Sequence, residues 1–354
     1  MKTIRIKNKI IGDGQPVFIV AELGINHNGD LALAKKMIES AKRCGADAVK
    51  IQSFITEELI GDKNLVYTYK SQGKKVTEKQ YQMFKRYELN KKDQKELFDF
   101  SRKQNIILFS TPQDSNFKTV DYLCGRKINM PVIKVGSDDL TNLPMLAYYA
   151  KKMKPMIISA GMATLEEIKD AVSVIEKSGN KNLIILKCTA AYPTQPKDLN
   201  LRQIAVLRKI FNKMIGFSDH TVGSTAAVVA VILGARVIEK HFTLDKNLPG
   251  PDHWFSADLQ EFKQMVNQIR QAEIMLGNTD FSLSEVEKKQ KIIARRSLIV
   301  AEPIKKGEII KPDQIVFKRP GSGLPSKYLN KIVGKKAKNN FSKGYIFKMK
   351  DLQK

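Results

Sequence analysis

The stretch Met214–Thr243, MIGFSDHTVGSTAAVVAVILGARVIEKHFT, constrains the fold of this chain more than any other. It opens on a short apolar run ending in Ser218, Asp219 and His220. A small-residue helix follows, opened by Thr221 and Ser224 and closed by Gly234, and a second apolar run then carries Glu239, Lys240, His241 and Thr243. Strand, helix and strand within about thirty residues make a parallel βαβ unit. The two strands therefore point the same way, and each brings a histidine to the C-terminal rim of one sheet. Strand C-termini are where α/β folds keep their chemistry, and neutral imidazole is the commonest protein ligand for a catalytic divalent metal. His220 and His241 are accordingly candidate metal ligands; the alternative is a pair of unrelated polar residues at strand ends.

The same alternation runs through the chain. Apolar runs at Pro16–Gly24, Ala48–Phe54, Ile106–Pro112, Val132–Asp138, Met156–Gly161 and Leu183–Thr189 read as strands, each followed by a helical segment. Asp30 and Thr164 are predicted N-caps, and Asp258 begins the last helix. With the two strands above, this gives eight βα units by about residue 276, the count of a closed (β/α)8 barrel. The competing α/β architecture, a doubly wound open sheet, usually carries a Gly-rich loop after its first strand, and none is visible. Thr56 to Asn90 interrupts the pattern as a polar insertion of no clear period, a length that is usually functional or mobile. Residues 1–276 are predicted to form the barrel, 277–292 a polar linker and 293–354 a small, mostly β domain whose short runs are broken by Pro303, Gly307, Pro312 and Pro320.

The formal net charge of +25 raises the question of nucleic acid. The basic residues, however, are mostly lysines scattered along helices, as in KKMIESAKR and KKDQKELFDFSRK, with no Arg-rich run and no interleaved aromatics. A solvated lysine surface that helps to steer an anionic substrate is the predicted reading, without a nucleic-acid partner. No apolar run reaches the roughly eighteen residues of a membrane span, and the N-terminus lacks a signal-peptide pattern. Cys44, Cys124 and Cys188 are odd in number and not in metal-ligand pairs, which suits free thiols in a reducing cytoplasm.

The predicted rim is dense in polar groups: Glu22, Asn26 and His27 on strand 1, Lys50, Gln52 and Ser53 on strand 2, and Ser110 and Thr111 on strand 3. Lys134, Ser137 and Asp139 follow on strand 4, Ser159 on strand 5, Lys187, Thr189 and then Tyr192 on strand 6, and Ser218, Asp219, His220, Glu239 and His241 on strands 7 and 8. Lys50 and Lys134 lie in otherwise apolar strands, so each needs a carboxylate partner or an anion; with the neighbouring hydroxyls they would suit phosphate or carboxylate. Barrel closure sets strand 8 beside strand 1, which brings Glu22 near both histidines, a donor set fit for Mn²⁺, Fe²⁺ or Zn²⁺. Asp252 and His253 follow in the loop after strand 8, with Trp254 as a loop anchor.

AELGINHNGD, VKIQSF, FSTP, IKVGSDDLTNLP, IISAGMATLEEI, CTAAYPTQP, GFSDHT, VIEKHFTLDKNLPGPDH and the late KRPGSG together resemble the sialic acid synthase family, nearly end to end and in order. The resemblance implies a (β/α)8 barrel followed by a small SAF (antifreeze-like, β-clip) domain. It implies condensation of phosphoenolpyruvate with an N-acyl hexosamine, such as N-acetylmannosamine giving N-acetylneuraminate and phosphate. The alternatives within the family are an N,N'-diacetyllegionaminate synthase using 2,4-diacetamido-2,4,6-trideoxymannose, and a synthase of the 9-phosphate. His220 and His241 are similar to the metal ligands, with Mn²⁺ favoured and Mg²⁺ or Co²⁺ as alternatives. Lys50, Thr111, Lys134, Ser137, Ser159 and Ser218 fall to phosphoenolpyruvate. Glu22 and Asp252, with the two lysines, form the implied catalytic group, and Asp139, Tyr192, Asp252 and Arg319 fall to the sugar. Arg319 matches an arginine that one subunit of a domain-swapped homodimer offers to the other. Asp139 stands where several sialate synthases have a glutamate, Ala190 where some have an asparagine, and IQSF looks closer to the legionaminate-type and spore-coat-type branches.

Overall fold

The computed structural model describes residues 3–352. The chain divides into two compact units, Met1–Gly277 and Asn278–Lys354.

The first unit is a closed parallel barrel of eight strands: β1 Phe18–Gly24, β2 Ala48–Phe54, β3 Ile107–Gln113, β4 Ile133–Val135, β5 Met156–Ser159, β6 Leu183–Cys188, β7 Met214–Asp219 and β8 Val237–His241. The helices between them are α1 Leu31–Arg43, α2 Lys91–Lys103, α3 Lys118–Cys124, α4 Leu143–Ala150, α5 Leu165–Lys177, α6 Gln203–Phe211, α7 Thr225–Ile232 and α8 Leu259–Leu276. Near-continuous Val, Ile, Leu and Phe in the strands follows from covering both faces of a parallel sheet. Asp30 accepts the backbone N–H groups of Ala32 and Leu33, and Thr164 and Asp258 form capping boxes with Glu167 and Glu261, contacts worth about 1 kcal/mol each. Strand β4 is shorter than the Val132–Asp138 run, because the chain leaves the ladder at Gly136.

Closure is set by β8 pairing with β1, with His241 opposite Glu22, while β1 pairs with β2, with Glu22 opposite Lys50. Three functional candidates thus lie side by side in one layer. The β1–β2 register slips between Glu22 and Gly24. Gly24 there has φ +52°, and a Cβ on it would lie 3.3 Å from Glu22 Oε1, 3.7 Å from Asp252 Oδ2 and 3.7 Å from His241 Cε1. Glycine is needed both for the left-handed backbone and for the room.

Two features lay outside the periodic pattern. An antiparallel hairpin, Ile4–Ile6 with Lys9–Ile11, sits at the N-terminal end of the strands, where Lys9 Nζ bonds Asp47 Oδ1 at 2.6 Å. The insertion read as aperiodic, 56–90, contains helices Thr56–Leu59 and Gln80–Tyr87 around a hairpin, Val66–Ser71 with Lys74–Lys79. Its order comes from tertiary contacts: Met83 and Tyr87 bury against Ile25 and Phe54, and Ser71 Oγ accepts Gly250 N–H at 3.0 Å in the loop after β8.

In the second unit the stretch read as linker, 277–292, is not featureless. Ser284 and Glu287 form a capping box that starts a helix over Glu285–Ala294. A reciprocal cap stabilises a helix without an apolar stripe, and that is why apolar periodicity did not reveal it. Beyond it, Ser297–Val300 pairs antiparallel with Ile315–Lys318, and Leu298, Val300, Ile304, Leu324, Phe341 and Phe347 form a separate small core.

Candidate active site at the C-terminal end of the barrel

Strand alternation decides which side chains enter the barrel. On β8, Glu239 and His241 point inward and Lys240 outward; on β7, Ser218 points inward and Asp219 outward. Asp219 and Lys240, both on the predicted rim, meet outside as a buried ion pair at 2.9 Å. Inside, Lys50 Nζ lies 3.0 Å from Glu22 Oε2, 3.5 Å from Glu239 Oε1 and 3.3 Å from Thr111 Oγ1. Lys134 Nζ donates to Ser159 Oγ at 2.7 Å and stands 3.9 Å from Glu239 Oε1, which also accepts Ser218 Oγ at 3.2 Å. Glu22, Lys50, Lys134 and Glu239 are all buried. Glu239 is therefore the hub between the two lysines, although it was not among the residues assigned a role from sequence. Its signal was its place two residues before His241, on the same face of the strand.

The charges of this group are strained by burial. Desolvation drives the Glu22 carboxyl up to about 7, against the opposing pull of Lys50. Burial also opposes charge on Glu239, but Lys134 and Lys50 outweigh it and hold that carboxyl below its ordinary value. Lys50 is likewise penalised by burial, yet Glu22 and Glu239 raise its pKa overall. Lys134 is pulled down by burial, with Glu239 only partly restoring it. An under-compensated ammonium held by one hydroxyl and one carbonyl, Ser159 Oγ and Val135 O, is a receptor for an anion.

Above this floor the two histidine rings stand with centroids 5.5 Å apart. His220 Nδ1 is 2.8 Å from the Thr189 carbonyl oxygen. A carbonyl only accepts, so Nδ1 carries a proton, while Nε2 lies 3.4 Å from Ser218 Oγ. Burial opposes charge on this ring, but Cys188 beside it and the Thr189 carbonyl raise its pKa overall. His241 Nδ1 is buried without a hydrogen-bond partner and lies 3.8 Å from Asp252 Oδ2. Burial pushes the His241 pKa well below its ordinary value, with His220 adding to the effect, so this ring is neutral. Glu22 Oε1 is also without a partner. Among the described residues no three His, Cys, Asp or Glu side chains converge as a ready-made cage. The unpartnered Glu22 oxygen, Asp252 and the His241 ring nonetheless converge around Gly24, and two imidazoles with carboxylates nearby fit a divalent ion.

The outer wall is aromatic and acidic. Tyr192 stacks its ring 4.2 Å from that of His220 and 5.4 Å from that of Phe255. Burial lifts Asp252 to about 6; burial and then the neighbouring Asp138 lift Asp139 to about 6. Tyr67, on the inserted hairpin, is pushed up by burial and then by the Asp252 charge. Ser137 Oγ accepts Gly161 N–H at 3.0 Å. Arg319 is an exposed residue of the second unit, at the end of its strand pair.

Several rim residues serve structure instead. Asn26 Nδ2 bridges Phe242 O at 3.0 Å and Ser256 Oγ at 2.9 Å, and His253 lies between Thr243 Oγ1 at 2.7 Å and Asn28 Oδ1 at 3.3 Å. The Trp254 ring is covered by Lys70 Nζ at 4.9 Å from its centroid. Lys187 points outward, away from the cavity shared by the other lysines.

Residues 37–281 match the NeuB family and residues 295–353 match the SAF domain. The chain is 41% identical to the N,N'-diacetyllegionaminic acid synthase of Campylobacter jejuni, over 93% of this chain and 98% of that protein. It is 37% identical to the N-acetylneuraminate-9-phosphate synthase of Homo sapiens, over 92% of this chain and 90% of the relative. The solved structure of an N-acetylneuraminic acid (sialic acid) synthetase from Leptospira borgpetersenii superposes with a TM-score of 0.72 at 33% identity, covering 82% of this chain and 95% of that one.

Proposed function

This chain belongs to the NeuB family and ends in a SAF domain, and from that premise we propose that it condenses phosphoenolpyruvate with an unphosphorylated N-acyl hexosamine to a nine-carbon 2-keto-3-deoxy sugar acid, releasing phosphate. The observation that carries this reading is the polarity of the cavity: a lysine floor at Lys50 and Lys134, an acidic and aromatic wall at Asp252 and Tyr192 with Asp139 on the same rim, and two histidines between them. The floor suits the phosphate and carboxylate of phosphoenolpyruvate, held by the two ammonium groups and the hydroxyls of Thr111, Ser137, Ser159 and Ser218. The wall suits hydroxyls and acyl groups; a sugar 6-phosphate would face carboxylates there. N-acetylmannosamine is the substrate of the first reading. The Asp139 carboxylate in place of glutamate, together with the Campylobacter jejuni relative, favours a second, 2,4-diacetamido-2,4,6-trideoxymannose.

In this scheme C3 of phosphoenolpyruvate attacks the carbonyl carbon of the open-chain sugar. Lys50 and Lys134 offset the charge of phosphate and carboxylate. Glu22, with a carboxyl pushed to about 7, takes the proton of the water that adds at C2. The C2–O bond then breaks, the C2 hydroxyl gives its proton to the departing phosphate, and the proton taken by Glu22 passes to the former carbonyl oxygen of the sugar. His220 and His241 would hold a divalent ion, Mn²⁺ by preference, with Asp252 and Glu22 as neighbouring carboxylates; when bound it supplies Lewis-acid polarisation of a carbonyl oxygen. Arg319 belongs to the same proposal, as a contribution from a partner subunit in a domain-swapped homodimer. Mixing an Arg319→Ala chain with a His241→Ala chain should then restore part of the activity, and no recovery with subunit exchange confirmed would remove that element.

The experiment is a panel. Phosphoenolpyruvate is offered with N-acetylmannosamine, its 6-phosphate and 2,4-diacetamido-2,4,6-trideoxymannose, before and after EDTA treatment and with Mn²⁺ restored. Phosphate release and product mass are read together. The proposal expects one of the two unphosphorylated sugars to give its nine-carbon acid, with loss on chelation and recovery with Mn²⁺. Turnover of the 6-phosphate alone, or no product from any sugar, would overturn it.

A further inference from the structure

Lys187 lies on β6, where alternation turns it away from the barrel interior while its neighbours Leu186 and Cys188 face inward. The residue is only 8% exposed. Its Nζ donates to the Cys188 carbonyl at 2.8 Å and to Thr189 Oγ1 at 3.2 Å. Among the described residues it forms no salt bridge, in contrast to Lys240, the other buried outward lysine of the barrel ladder, which is paired with Asp219. A buried ammonium held only by neutral oxygens is under-compensated, and burial pulls its pKa down accordingly.

That ammonium opens onto a cavity of about 550 Å³ between α5 and α6. Leu165, Ile168 and Leu207 give it apolar walls, and Asn200 and Gln203 add amide groups to its lining. One carboxylate, Asp198, lines it without pairing with Lys187. Mostly apolar walls with a few convergent polar groups are the ordinary make-up of a small-molecule site.

The cavity is also wired to the active site. Lys187 Nζ grips the last two oxygens of the β6 end, and the next oxygen along, Thr189 O, is the acceptor that fixes the His220 tautomer at 2.8 Å. Thr194 Oγ1 also donates to that carbonyl at 3.2 Å, so drawing Nζ toward a ligand would release Thr189 Oγ1 and pull on the carbonyl against that one remaining side-chain bond.

We propose that this cavity is a second ligand site, which takes a small organic carboxylate with an apolar body through an ion pair to Lys187, and that its occupancy is felt at His220 through the end of β6. The site differs from the barrel interior in position, so ligand binding there stands whether or not the catalytic reading does, while its link to His220 rests on that reading.

The probe is 4-phenylbutyrate, compared with 4-phenylbutanol, which has the same body and no charge, and with acetate, which has the charge and no body. Binding is followed by calorimetry on the full-length protein at neutral pH. The proposal expects saturable 1:1 binding of phenylbutyrate, at least tenfold weaker binding of the alcohol and of acetate, and at least a tenfold loss in Lys187→Met. Val206 lines the cavity and is half-exposed, so Val206→Trp fills the space without touching the core and should cause the same loss. Lys134→Met, which alters only the barrel interior, should bind phenylbutyrate as the parent does. In turnover assays phenylbutyrate should lower kcat of the parent and leave Val206→Trp unaffected. No saturable binding, equal binding of the alcohol, survival in both cavity variants or loss in Lys134→Met would each overturn the site. Binding without any change in kcat would overturn its link to His220.

Discussion

Two sets of buried lysines and carboxylates sit back to back across β7 and β8, and they are built on opposite principles. Outside the barrel, Lys240 meets Asp219 at 2.9 Å and also donates to Thr221 O, while Asp219 Oδ1 accepts Thr221 N–H at 2.9 Å and Thr221 Oγ1 at 2.8 Å. One charge answers one charge, and the hydrogen-bonding capacity is used. Inside, Glu22, Glu239, Lys50 and Lys134 share one pocket, and Glu22 Oε1 and Glu239 Oε2 are left without partners. The residue types are the same and adjacent in sequence, as at Glu239 and Lys240. A satisfied buried pair holds elements together, whereas an unsatisfied buried cluster stores unfavourable desolvation that a ligand can relieve.

The sharpest break between the two sets is His241→Ala, on the inner face. Its loss should cut turnover by more than about a hundredfold, beyond what removal of an outer-shell partner costs, with an unchanged far-UV circular dichroism spectrum; His220→Ala should behave alike. Turnover within tenfold of the parent at equal Mn²⁺ would detach the inner histidines from the chemistry. Next comes Asp219→Ala, on the outer face. It leaves Lys240 buried and unpaired and should cost about 3–5 kcal/mol in urea unfolding, while the protein that remains folded keeps its activity. A loss below about 1 kcal/mol would mean the outer pair is not structural.

Lys134→Met tests the converse. Removing an ammonium that burial already disfavours leaves Lys50 to answer Glu239, so the stability loss should stay below that of Asp219→Ala, yet the KM for phosphoenolpyruvate should rise about tenfold or more, the equivalent of about 1.4 kcal/mol. An unchanged KM would take Lys134 out of the anion site. The smallest effect is a pH slope at the wall. The folded state holds the Asp139 proton up to about 6, above the ordinary 3.8. The folded form therefore binds that proton more tightly, and the associated stability is full below about pH 4 and is lost as pH rises through about 6. Unfolding of the metal-free protein across that window should show a flatter slope in Asp139→Asn. Identical slopes would place Asp139 outside the buried wall.

Much of this was legible in the chain. The apolar runs and caps such as Asp30, Thr164 and Asp258 gave eight βα units, because hydrophobic period and capping chemistry are local. His220 and His241 were visible as a pair because a βαβ unit must bring them to one rim. The insertion over 56–90 was not legible: its hairpin is ordered by Ser71, Met83 and Tyr87 docking on distant segments. Nor was the division of the rim into cavity-facing and bracing residues, since Asn26, Asp219 and His253 looked no different from Glu22 or Asp252.

The sequence by itself determined the fold class and the end of the barrel where polar groups gather, since both follow from alternation and strand direction. Only the tertiary structure decided which of those groups share one dry space. Closure set β8 beside β1, made Glu239 the hub of two lysines and left His241 Nδ1 and Glu22 Oε1 without partners. Burial and pairing are properties of the assembled space, because a charge's energy depends on the dielectric and the neighbours that folding gives it, and no local pattern encodes them.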